Sequence, residues 1–391
     1  MKKILAITGI RSDYDLMSGL FRRLQADAGI DLRLLVGGAH MSETYGHTID
    51  LIRRDGFTIL HAIESLIDSD SLSSRLKTAS IMLQGAVDAV ANWEPDVIIY
   101  AGDREEVWIG AMLGTYLEVP TVHFYGGDHT ETGHVDNPVR HAVSKLSTAH
   151  AVTVEEHRQR LLCMGEPASR IRVIGNISLD NFVHHQALSR QVLEKQMGLP
   201  THITHYALVL FHPDPSEKGI AAEIFERILL ALKTQGIAGC VGYPNTDPSN
   251  REIIDIIEKY RGDKNFFFYR NLDRDQFISM YKHASFIIGN SSSGILEAAS
   301  IPIPAINVGL RQRGRMAGEN VIFCNSDAQS IAVSIVKAIS QPFLDLVTSM
   351  RNPYGDGDSA GKAYRMLKEM DLQSMRLKTE DALKLERAAK P

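Results

Sequence analysis

Short apolar runs alternate with longer amphipathic segments along most of this 391-residue chain. Runs with the length and composition of strands lie at residues 4–8, 32–36, 97–100, 121–124 and 149–154, and again at residues 206–211, 237–241, 265–269, 286–288 and 303–306. Segments with helical spacing lie at residues 16–26, 72–92, 106–117, 221–233, 251–260, 276–282 and 329–339. Such alternation is typical of a parallel sheet with helices on both faces. Because the pattern occurs twice, we predict an α/β protein with two doubly wound, Rossmann-like domains.

The length of the chain also favours two domains over one compact core. The boundary is placed where a polar helical segment ends at Gly198, Leu199 and Pro200. We therefore expect an N-terminal domain over residues 1–185 and a C-terminal domain over residues 200–362. The charged tail, residues 363–391, has a helical pattern and is expected to pack back on the N-terminal domain.

Composition excludes several classes of protein. The net charge of −5 provides no basic field for nucleic acid. The three cysteines, Cys163, Cys240 and Cys324, are far apart and odd in number, so no disulfide framework is expected and a reducing cytoplasm fits. No apolar run approaches the roughly 20 residues that cross a bilayer, and Arg11 and Asp13 interrupt the apolar start too early for a signal peptide. The sequence predicts a cytoplasmic protein that binds neither nucleic acid nor a membrane.

Polar side chains follow the predicted strands in both halves of the chain. They lie at residues 9–14, 37–40, 102–104 and 125–128 of the first half, and at residues 211–213 of the second. In parallel α/β sheets, ligands bind beyond the carboxyl ends of the strands. These loops are therefore the predicted position of the functional site.

A run of small residues in the second half, residues 289–294, has the pattern of an anion-binding turn. It follows a buried strand and leads into a helix predicted to start near Gly294. The backbone N–H groups, the serine hydroxyls and the helix dipole of such a turn attract an anion, although many such turns only cap helices. Glu297, one turn into that helix, is placed to bind both hydroxyls of a ribose. The combination predicts a site for a nucleoside diphosphate.

The same loops carry the motifs of a known family. In chain order these motifs are residues 11–14 (RSDY), 40 with 45–48, 102–104 (GDR), 123–128 (HFYGGD), 136–145, 212–213 (HP), 289–294 (GNSSSG), 311–315 (RQRGR) and 318–321 (GENV). On these motifs the chain resembles the hydrolysing UDP-N-acetylglucosamine 2-epimerases, which make N-acetylmannosamine for sialic acid synthesis. The resemblance extends over most of the chain.

The resemblance implies a fold of the GT-B type, in which the two domains face each other across a cleft that holds a UDP-sugar. On this basis Ser291, Ser292 and Gly294 are expected to bind the diphosphate and Glu297 the ribose. Arg11 is expected to reach a phosphate from the opposite domain. The other residues predicted to bind the substrate are His40, His47, Arg104, Tyr125, Arg140, Gly175 and Arg311.

The resemblance also implies a mechanism. Carbon 2 of an N-acetyl sugar is not acidic, so the family first eliminates UDP in the anti sense, giving a 2-acetamidoglucal, and water then adds with inversion of carbon 2. Positive charge from Arg11 and the helix N-terminus would stabilise the leaving group. Asp103, Asp136 and His212 are the candidates for proton transfer, and Asp13 is expected to act on the glucal or the water. Which residue is the base and which the acid stays open.

Two positions depart from the family pattern beside the sugar. The family often has Glu at the position of Tyr125, and it commonly has an acidic residue at the position of Asn137. Tyr125 cannot act as a carboxylate base, so Asp128 becomes a catalytic candidate if that step needs a carboxylate. These departures leave the identity of the sugar open, with UDP-N,N'-diacetylbacillosamine as the alternative substrate.

Several of these candidates have plain structural alternatives. Asp13 and Asp103 could cap the helices that follow them. Arg140 could pair with a carboxylate, and His40 and His47 could be surface residues.

Neither a metal nor a cofactor is expected. His123, His129, His134 and His141 have spacings that fit no zinc pattern, and His123 is interpreted as a hydrogen-bonded core residue. Residues 9–14 do not form the Gly-x-Gly-x-x-Gly pattern that binds NAD.

The predicted activity is the conversion of UDP-N-acetylglucosamine and water to N-acetylmannosamine and UDP, by a homodimer or homotetramer. A glycosyltransferase of the same fold and a non-catalytic UDP-sugar sensor are the alternatives from other functional classes. A sensor needs no proton-transfer groups, so the acidic residues argue against it. Residues 11–14 disfavour a non-hydrolysing epimerase.

Overall fold

The computed structural model describes residues 1–69, 72–129, 135–214, 217, 219–244, 250–270 and 272–384. The chain divides into two compact units. Unit 1 contains the described residues of 1–180 and 357–384, and unit 2 contains those of 181–356. Each unit is built on one parallel sheet with helices between most successive strands, which confirms the predicted fold class of two doubly wound α/β domains.

Unit 1 is built on a seven-stranded sheet. Its strands are β1 (Lys2–Thr8), β2 (Ile30–Val36), β3 (Ile59–Ala62), β4 (Val97–Ala101), β5 (Thr121–Phe124), β6 (Ala149–Val152) and β7 (Ile171–Val173). They lie in the order β3-β2-β1-β4-β5-β6-β7, and all pairs are parallel. The strand order reverses between β1 and β4. In doubly wound sheets this switch point is where ligands bind.

The helices of unit 1 pack on the two faces of this sheet. They are α1 (Arg11–Gln25), α2 (Ile49–Arg54), α3 (Leu72–Trp93), α4 (Glu105–Tyr116), α5 (Asp136–Leu146), α6 (Glu155–Cys163) and α7 (Ser178–His184), with the boundary at residue 180 falling inside α7. In α1 the buried residues Tyr14, Met17, Phe21 and Leu24 recur at helical spacing, so one stripe of the helix covers the sheet.

Unit 2 repeats the architecture with six strands. They are β8 (Tyr206–Leu210), β9 (Ala238–Gly242), β10 (Phe266–Tyr269), β11 (Phe286–Gly289), β12 (Ala305–Val308) and β13 (Val321–Cys324), in the order β10-β9-β8-β11-β12-β13. The helices are α8 (Arg190–Met197), α9 (Ala221–Thr234), α10 (Asn250–Tyr260), α11 (Arg274–His283), α12 (Ser293–Leu296), α13 (Ala328–Ala338) and α14 (Gln341–Ser349). The switch point of this sheet lies between β8 and β11.

The end of the chain returns to unit 1 as α15 (Ser359–Glu369), which packs against α1. The helix predicted over residues 363–391 therefore starts earlier and ends sooner than expected, because residues 371–384 are not helical. The buried guanidinium of Arg170 explains the difference. It donates to the carbonyl oxygens of Met375 at 2.6 Å and Leu377 at 3.1 Å, which a continuing helix would use for its own N–H groups.

Within the described part of the chain, no single helix has the length and apolar composition needed to cross a membrane. α13 and α14 meet that criterion only when taken together, and they are bent by 67° relative to each other.

Candidate active site

Asp13 lies in the first turn of α1, and its carboxylate turns back towards the end of β1. One oxygen accepts the N–H groups of Gly9 at 2.9 Å and Ile10 at 3.3 Å, and the other accepts the hydroxyl of Thr8. Asp13 therefore caps the start of α1, which is the structural alternative, through its bond to the N–H of Ile10. Burial, followed by the negative charge of Glu106, raises the pKa of Asp13 to about 7. A carboxyl group with this pKa can both give and accept a proton near neutral pH.

His40 shares Thr8 with Asp13. Its Nε2 lies 2.9 Å from Thr8 Oγ1 and its Nδ1 lies 2.7 Å from Thr48 Oγ1. The side chain is fully buried, and burial lowers the pKa of His40 to about 4. His40 is therefore a neutral residue that supports the loop after β1, and the surface alternative does not hold for it.

His47 and Arg11 are not gathered around Asp13. His47 has a left-handed backbone (φ 44°), and its Nδ1 lies 2.9 Å from Asp50 Oδ2 on a partly exposed turn. His47 is therefore a partly exposed residue, in agreement with the alternative that it lies on the surface. Arg11 is exposed at the start of α1, and its Nε lies 3.4 Å from Asp15 Oδ2.

Asp103 follows β4, on the other side of the switch point. Its carboxylate accepts a hydrogen bond from the buried guanidinium of Arg140 on α5. The same guanidinium donates to the Asp128 carbonyl at 3.1 Å and to Asn137 Oδ1 at 3.3 Å. Burial outweighs the attraction of Arg140 and raises the pKa of Asp103, and the charge of Asp136 adds to the rise. Arg140 thus holds Asp103 and the loop after β5 together.

Asp103 does not cap the helix that follows it, so the structural alternative is wrong for this residue. Arg104 precedes the first residue of α4, and no side chain caps this helix. Arg104 is half-exposed, and its Nε lies 3.3 Å from Glu106 Oε1. Asp136 is the first residue of α5, and one oxygen of its carboxylate lies 3.7 Å from Arg75 Nη2.

His123 is the core residue that the sequence predicted. It is fully buried, with Nε2 at 2.8 Å from the Gly102 carbonyl and Nδ1 at 3.0 Å from Ser144 Oγ. Burial lowers its pKa to about 3, so the ring is neutral. His123 fixes the residue before Asp103. His134 lies outside the described residues, and among the described ones no group of three or more His, Cys, Asp or Glu is placed to hold a metal.

Tyr125 follows β5 in a left-handed conformation (φ 65°), and its hydroxyl reaches the loop after β7. Its hydroxyl donates to Asn176 Oδ1 at 3.3 Å and accepts the N–H of Ile177 at 3.3 Å. Gly175, with φ 88°, starts this loop. Asp128 lies further along the loop after β5, where its carboxylate accepts the N–H of His129.

In unit 2, a buried asparagine joins the loops on the two sides of the switch point. Asn290, at the end of β11, accepts the N–H of His212 at 2.8 Å and donates to the carbonyl oxygen of the same residue at 2.8 Å. Arg311, in the loop after β12, donates to the Asn290 carbonyl at 3.1 Å. His212 and Arg311 are therefore held beside the turn of small residues.

The turn itself begins at Gly289, whose φ of 146° and close packing require glycine. A Cβ at this position would lie 1.9 Å from the Leu210 carbonyl oxygen. The helix predicted to follow the turn is a single turn, α12, which covers Ser293 to Leu296. Ser291, Ser292 and Gly294 surround its start, as the sequence predicted.

Glu297 follows the last residue of α12 instead of lying inside a helix. Burial raises its pKa to about 8, and a hydrogen bond with Ser293 partly opposes this rise. Its Oε2 is buried, and it finds no hydrogen-bond partner in the described part of the chain. Buried acceptors without a partner are rare in proteins, so this oxygen has the properties of one that binds a ligand hydroxyl.

The chain is similar to known proteins over most of its length. The family model for UDP-N-acetylglucosamine 2-epimerase matches residues 22–368. The chain belongs to the UDP-N-acetylglucosamine 2-epimerase family. A UDP-N,N'-diacetylbacillosamine 2-epimerase (hydrolyzing) of Legionella pneumophila is 32% identical over 374 residues, which are 96% of this chain and 97% of that protein. A UDP-N-acetylglucosamine 2-epimerase of Neisseria meningitidis serogroup B is 32% identical over 340 residues, covering 87% of this chain and 88% of its own.

Solved structures of other proteins share this fold. A crystal structure of UDP-GlcNAc 2-epimerase from Neisseria meningitidis bound to UDP-GlcNAc superposes with a TM-score of 0.80 at 18% identity, covering 94% of this chain and 100% of that one. A UDP complex of Staphylococcus aureus MnaA gives a TM-score of 0.76 at 19% identity, with coverage of 94% and 96%. At these identities the comparison shows the fold.

Sequence reasoning missed two residues that organise the predicted site. Glu106, on α4, is 7% exposed and alters the pKa of Asp13. In the sequence it follows Glu105, and two acidic residues in the first turn of a helix are an ordinary feature. Asn176 receives the hydroxyl of Tyr125 and was not singled out either. Its position after Gly175, beyond the carboxyl end of β7, was the available signal.

Proposed function

We propose that this chain is a hydrolysing 2-epimerase that converts UDP-N-acetylglucosamine and water to N-acetylmannosamine and UDP. One observation carries the proposal. Asp13 and Asp103, both with a raised pKa, follow the two strands that flank the switch point of unit 1. Carboxyl groups with a raised pKa can hold and release a proton, which is what elimination and rehydration of a sugar require.

In this proposal unit 2 binds the nucleotide. Ser291, Ser292 and Gly294 would hold the diphosphate through hydroxyls and backbone N–H groups. The unpartnered Oε2 of Glu297 would accept a ribose hydroxyl. Arg311, fixed on the Asn290 carbonyl, would add positive charge, and Arg11 would supply a further cation to the leaving phosphate.

The first chemical step breaks two bonds. A base removes the proton from carbon 2, the C1–O bond to the diphosphate breaks with its electron pair leaving on UDP, and a double bond forms between carbons 1 and 2. In the second step water adds to this glucal: hydroxyl goes to carbon 1 and a proton goes to carbon 2 on the opposite face. The sum is hydrolysis with inversion of carbon 2.

Residues of unit 1 would move the protons. Asp103, Asp136 and Asp128 are the carboxyl groups proposed for the two steps at carbon 2, together with His212 of unit 2. Asp13 would serve the second step by handling the proton of the attacking water. His40, Arg104, Tyr125, Arg140 and Gly175 would shape the sugar site, with Arg140 acting through its bond to Asp103.

Proton NMR in deuterated water tests the reaction directly. The purified protein is incubated with UDP-N-acetylglucosamine, and we expect free N-acetylmannosamine that carries deuterium at carbon 2, together with UDP. Sugar that retains its proton at carbon 2 would contradict the elimination. UDP release only after an acceptor is added would instead identify a glycosyltransferase.

A second substrate is favoured by a specific observation. The Legionella relative, similar over 96% of this chain, is described as acting on UDP-N,N'-diacetylbacillosamine. We therefore propose this nucleotide as the alternative substrate, in which case the product would serve legionaminic acid synthesis in place of sialic acid synthesis. Comparing kcat/KM for the two nucleotides decides between them, since the physiological sugar should have the larger value.

A further inference from the structure

Glu106 is a buried carboxylate that the proposed mechanism does not use. It is the second residue of α4 and is 7% exposed. Its side chain lies against Gly9, where a Cβ would come within 2.5 Å of Glu106 Oε1. Any side chain at position 9 would therefore displace this carboxylate. Glycine at this position leaves room for it.

Gly9 also contacts the carboxylate of Asp13. Its N–H donates to Asp13 Oδ2 at 2.9 Å. The Asp13 carboxylate is thus bonded to the backbone nitrogen of Gly9, and the Glu106 carboxylate packs at the α-carbon of the same residue. Two carboxylates this near to one glycine repel each other if both are ionised.

One cation opposes this repulsion, because Arg104 interacts electrostatically with both Glu106 and Asp13. Arg104 contributes one guanidinium, whose Nε lies 3.3 Å from Glu106 Oε1 and whose Nη2 lies 4.0 Å from Glu105 Oε2. His40, which reaches Asp13 through Thr8, is neutral because burial lowers its pKa to about 4. Asp13 also accepts hydrogen bonds from the Thr8 hydroxyl and from two backbone N–H groups.

We propose that Glu106 is a positioning residue that acts through Asp13: its charge, held against Gly9, keeps a proton available on the Asp13 carboxyl at neutral pH. The role of that proton in turnover rests on the proposed function, whereas the interaction between the two carboxyls does not. The raised pKa of Asp13, caused first by burial and then by Glu106, agrees with this assignment.

The sign of the effect follows from electrostatics. A negative neighbour disfavours the ionised form of Asp13, so it raises the pKa. Replacing Glu106 by Gln keeps the shape and removes the charge, so the pKa of Asp13 should fall by about one unit or more. Replacing Glu106 by Asp keeps the charge on a shorter side chain, so most of the rise should remain.

Carbon-13 NMR of protein labelled at the aspartate carboxyl carbons measures this without substrate. The signal of Asp13 is assigned by its loss in Asp13→Asn. We expect Asp13 to titrate near neutral pH in the unaltered protein, at least about one pH unit lower in Glu106→Gln, and close to the unaltered value in Glu106→Asp. Glu105→Gln, a change of the same charge at the neighbouring residue, is the control and should move the titration little.

The outcomes separate the inference from the proposed function. An Asp13 titration that stays in place in Glu106→Gln, or that moves equally in Glu105→Gln, would overturn the inference. If Glu106→Gln does not fold, as judged by circular dichroism, Glu106→Asp still decides: a fall to the ordinary range of an aspartate despite the retained charge would overturn it. Because no substrate is present, absence of epimerase activity would contradict only the proposed function.

Turnover then tests the catalytic consequence. The pH profile of kcat should have a limb near the Asp13 titration, and in Glu106→Gln this limb should move to lower pH by the same amount as the NMR titration. A purely structural role of Glu106 would lower kcat at every pH and leave the limb in place, and that result would overturn the positioning role.

Discussion

The carboxylate of Asp103 is partly buried, and the buried guanidinium of Arg140 lies against it. This pairing is costly to remove from one side only, since a buried charge without a partner is strongly unfavourable. Burial nevertheless dominates, and the pKa of Asp103 is raised. Such a balance suits a group that has to exchange a proton while staying fixed in position.

The first prediction concerns Asp103→Asn. The amide can still accept a hydrogen bond from Arg140, so the geometry should be kept at some cost in stability, but the amide cannot take a proton. We expect kcat to fall by about 10²–10⁴-fold, with UDP affinity measured by calorimetry unchanged. Asp31→Asn, in a surface pair with Arg33, is the control. Unchanged turnover would argue for a different proton acceptor.

The second prediction concerns pH and Glu297. The pKa of Glu297 is raised to about 8, and ribose hydroxyls donate to the ionised carboxylate. Below this pH, UDP binding must therefore remove the proton from Glu297. UDP affinity should therefore rise about tenfold between pH 7 and pH 9, as the ionised fraction grows. Glu297→Gln should bind UDP more weakly and lose this pH dependence. The control is Glu258→Gln, at an exposed glutamate paired with Arg261, and it should keep the pH dependence. Isothermal titration calorimetry measures both, and a pH dependence that persists in Glu297→Gln would place the ribose elsewhere.

At the scale of elements, α5 carries Asp136 at one end and is held by the C-terminal tail at the other. Glu166 is buried, with its oxygens 2.7 Å from Lys145 Nζ, 2.8 Å from His150 Nε2 and 2.6 Å from Lys378 Nζ. Lys378 also donates to the carbonyl oxygens of the last turns of α5. A cation at the C-terminus of a helix satisfies free carbonyls and opposes the helix dipole.

The third prediction follows for Lys378→Met. Glu166 keeps its contact with Lys145, so the loss should be less than that of a completely unpaired buried charge. We expect the free energy of unfolding to fall by about 1–3 kcal/mol in denaturant titration. Lys384→Met is the control because Lys384 is 84% exposed, and it should unfold as the unaltered protein does. Equal stability of the two variants would show that the tail does not support α5.

The elements also show what the sequence could predict. Central strands such as β1 and β4 are continuous apolar runs because helices cover both faces, and these were predicted within a few residues. Three of the four edge strands, β3, β7 and β13, were not predicted, and they have only three or four residues and are partly exposed. The fourth, β10, was predicted because all four of its residues are aromatic. A short run at the edge of a sheet lacks the apolar signal that sequence periodicity detects.

For the whole molecule, the same strand order in the two units places two switch points, and each gathers different chemistry. The first gathers Asp13 and Asp103, and the second gathers His212, Asn290 and the small-residue turn. The sequence singled out the loops that carry these residues by their position after strands, whereas the roles of Asp13, Asp103 and His212 were inferred from the family resemblance and stay predictions. Glu106 could not be found in the same way, because nothing local distinguishes it from Glu105, and only the folded packing turns one of the two inward.

The fourth prediction tests this division of roles. Asn290→Ala removes the two hydrogen bonds that join the loops on either side of the second switch point, at about 1 kcal/mol each. We expect UDP affinity to fall by roughly tenfold or more, with the deuterium pattern of the remaining product unchanged. Asn265→Ala, at an exposed asparagine, should bind UDP normally. UDP affinity that survives in Asn290→Ala would show that the turn does not need this support.

The return of the chain to unit 1 has a practical consequence for dissecting the protein. A gene fragment that ends at residue 180 would lack α15, whose buried residues Ala363 and Leu367 complete the core beside α1. The two segments of unit 1 nevertheless meet closely, because the Asp180 carboxylate accepts the N–H groups of Ser359 at 2.9 Å and Ala360 at 2.8 Å. A synthetic gene that splices residue 180 to residue 357 through a few glycines would therefore encode unit 1 as one self-contained polypeptide. The intervening segment, residues 181–356, is contiguous, so a separate gene could encode unit 2.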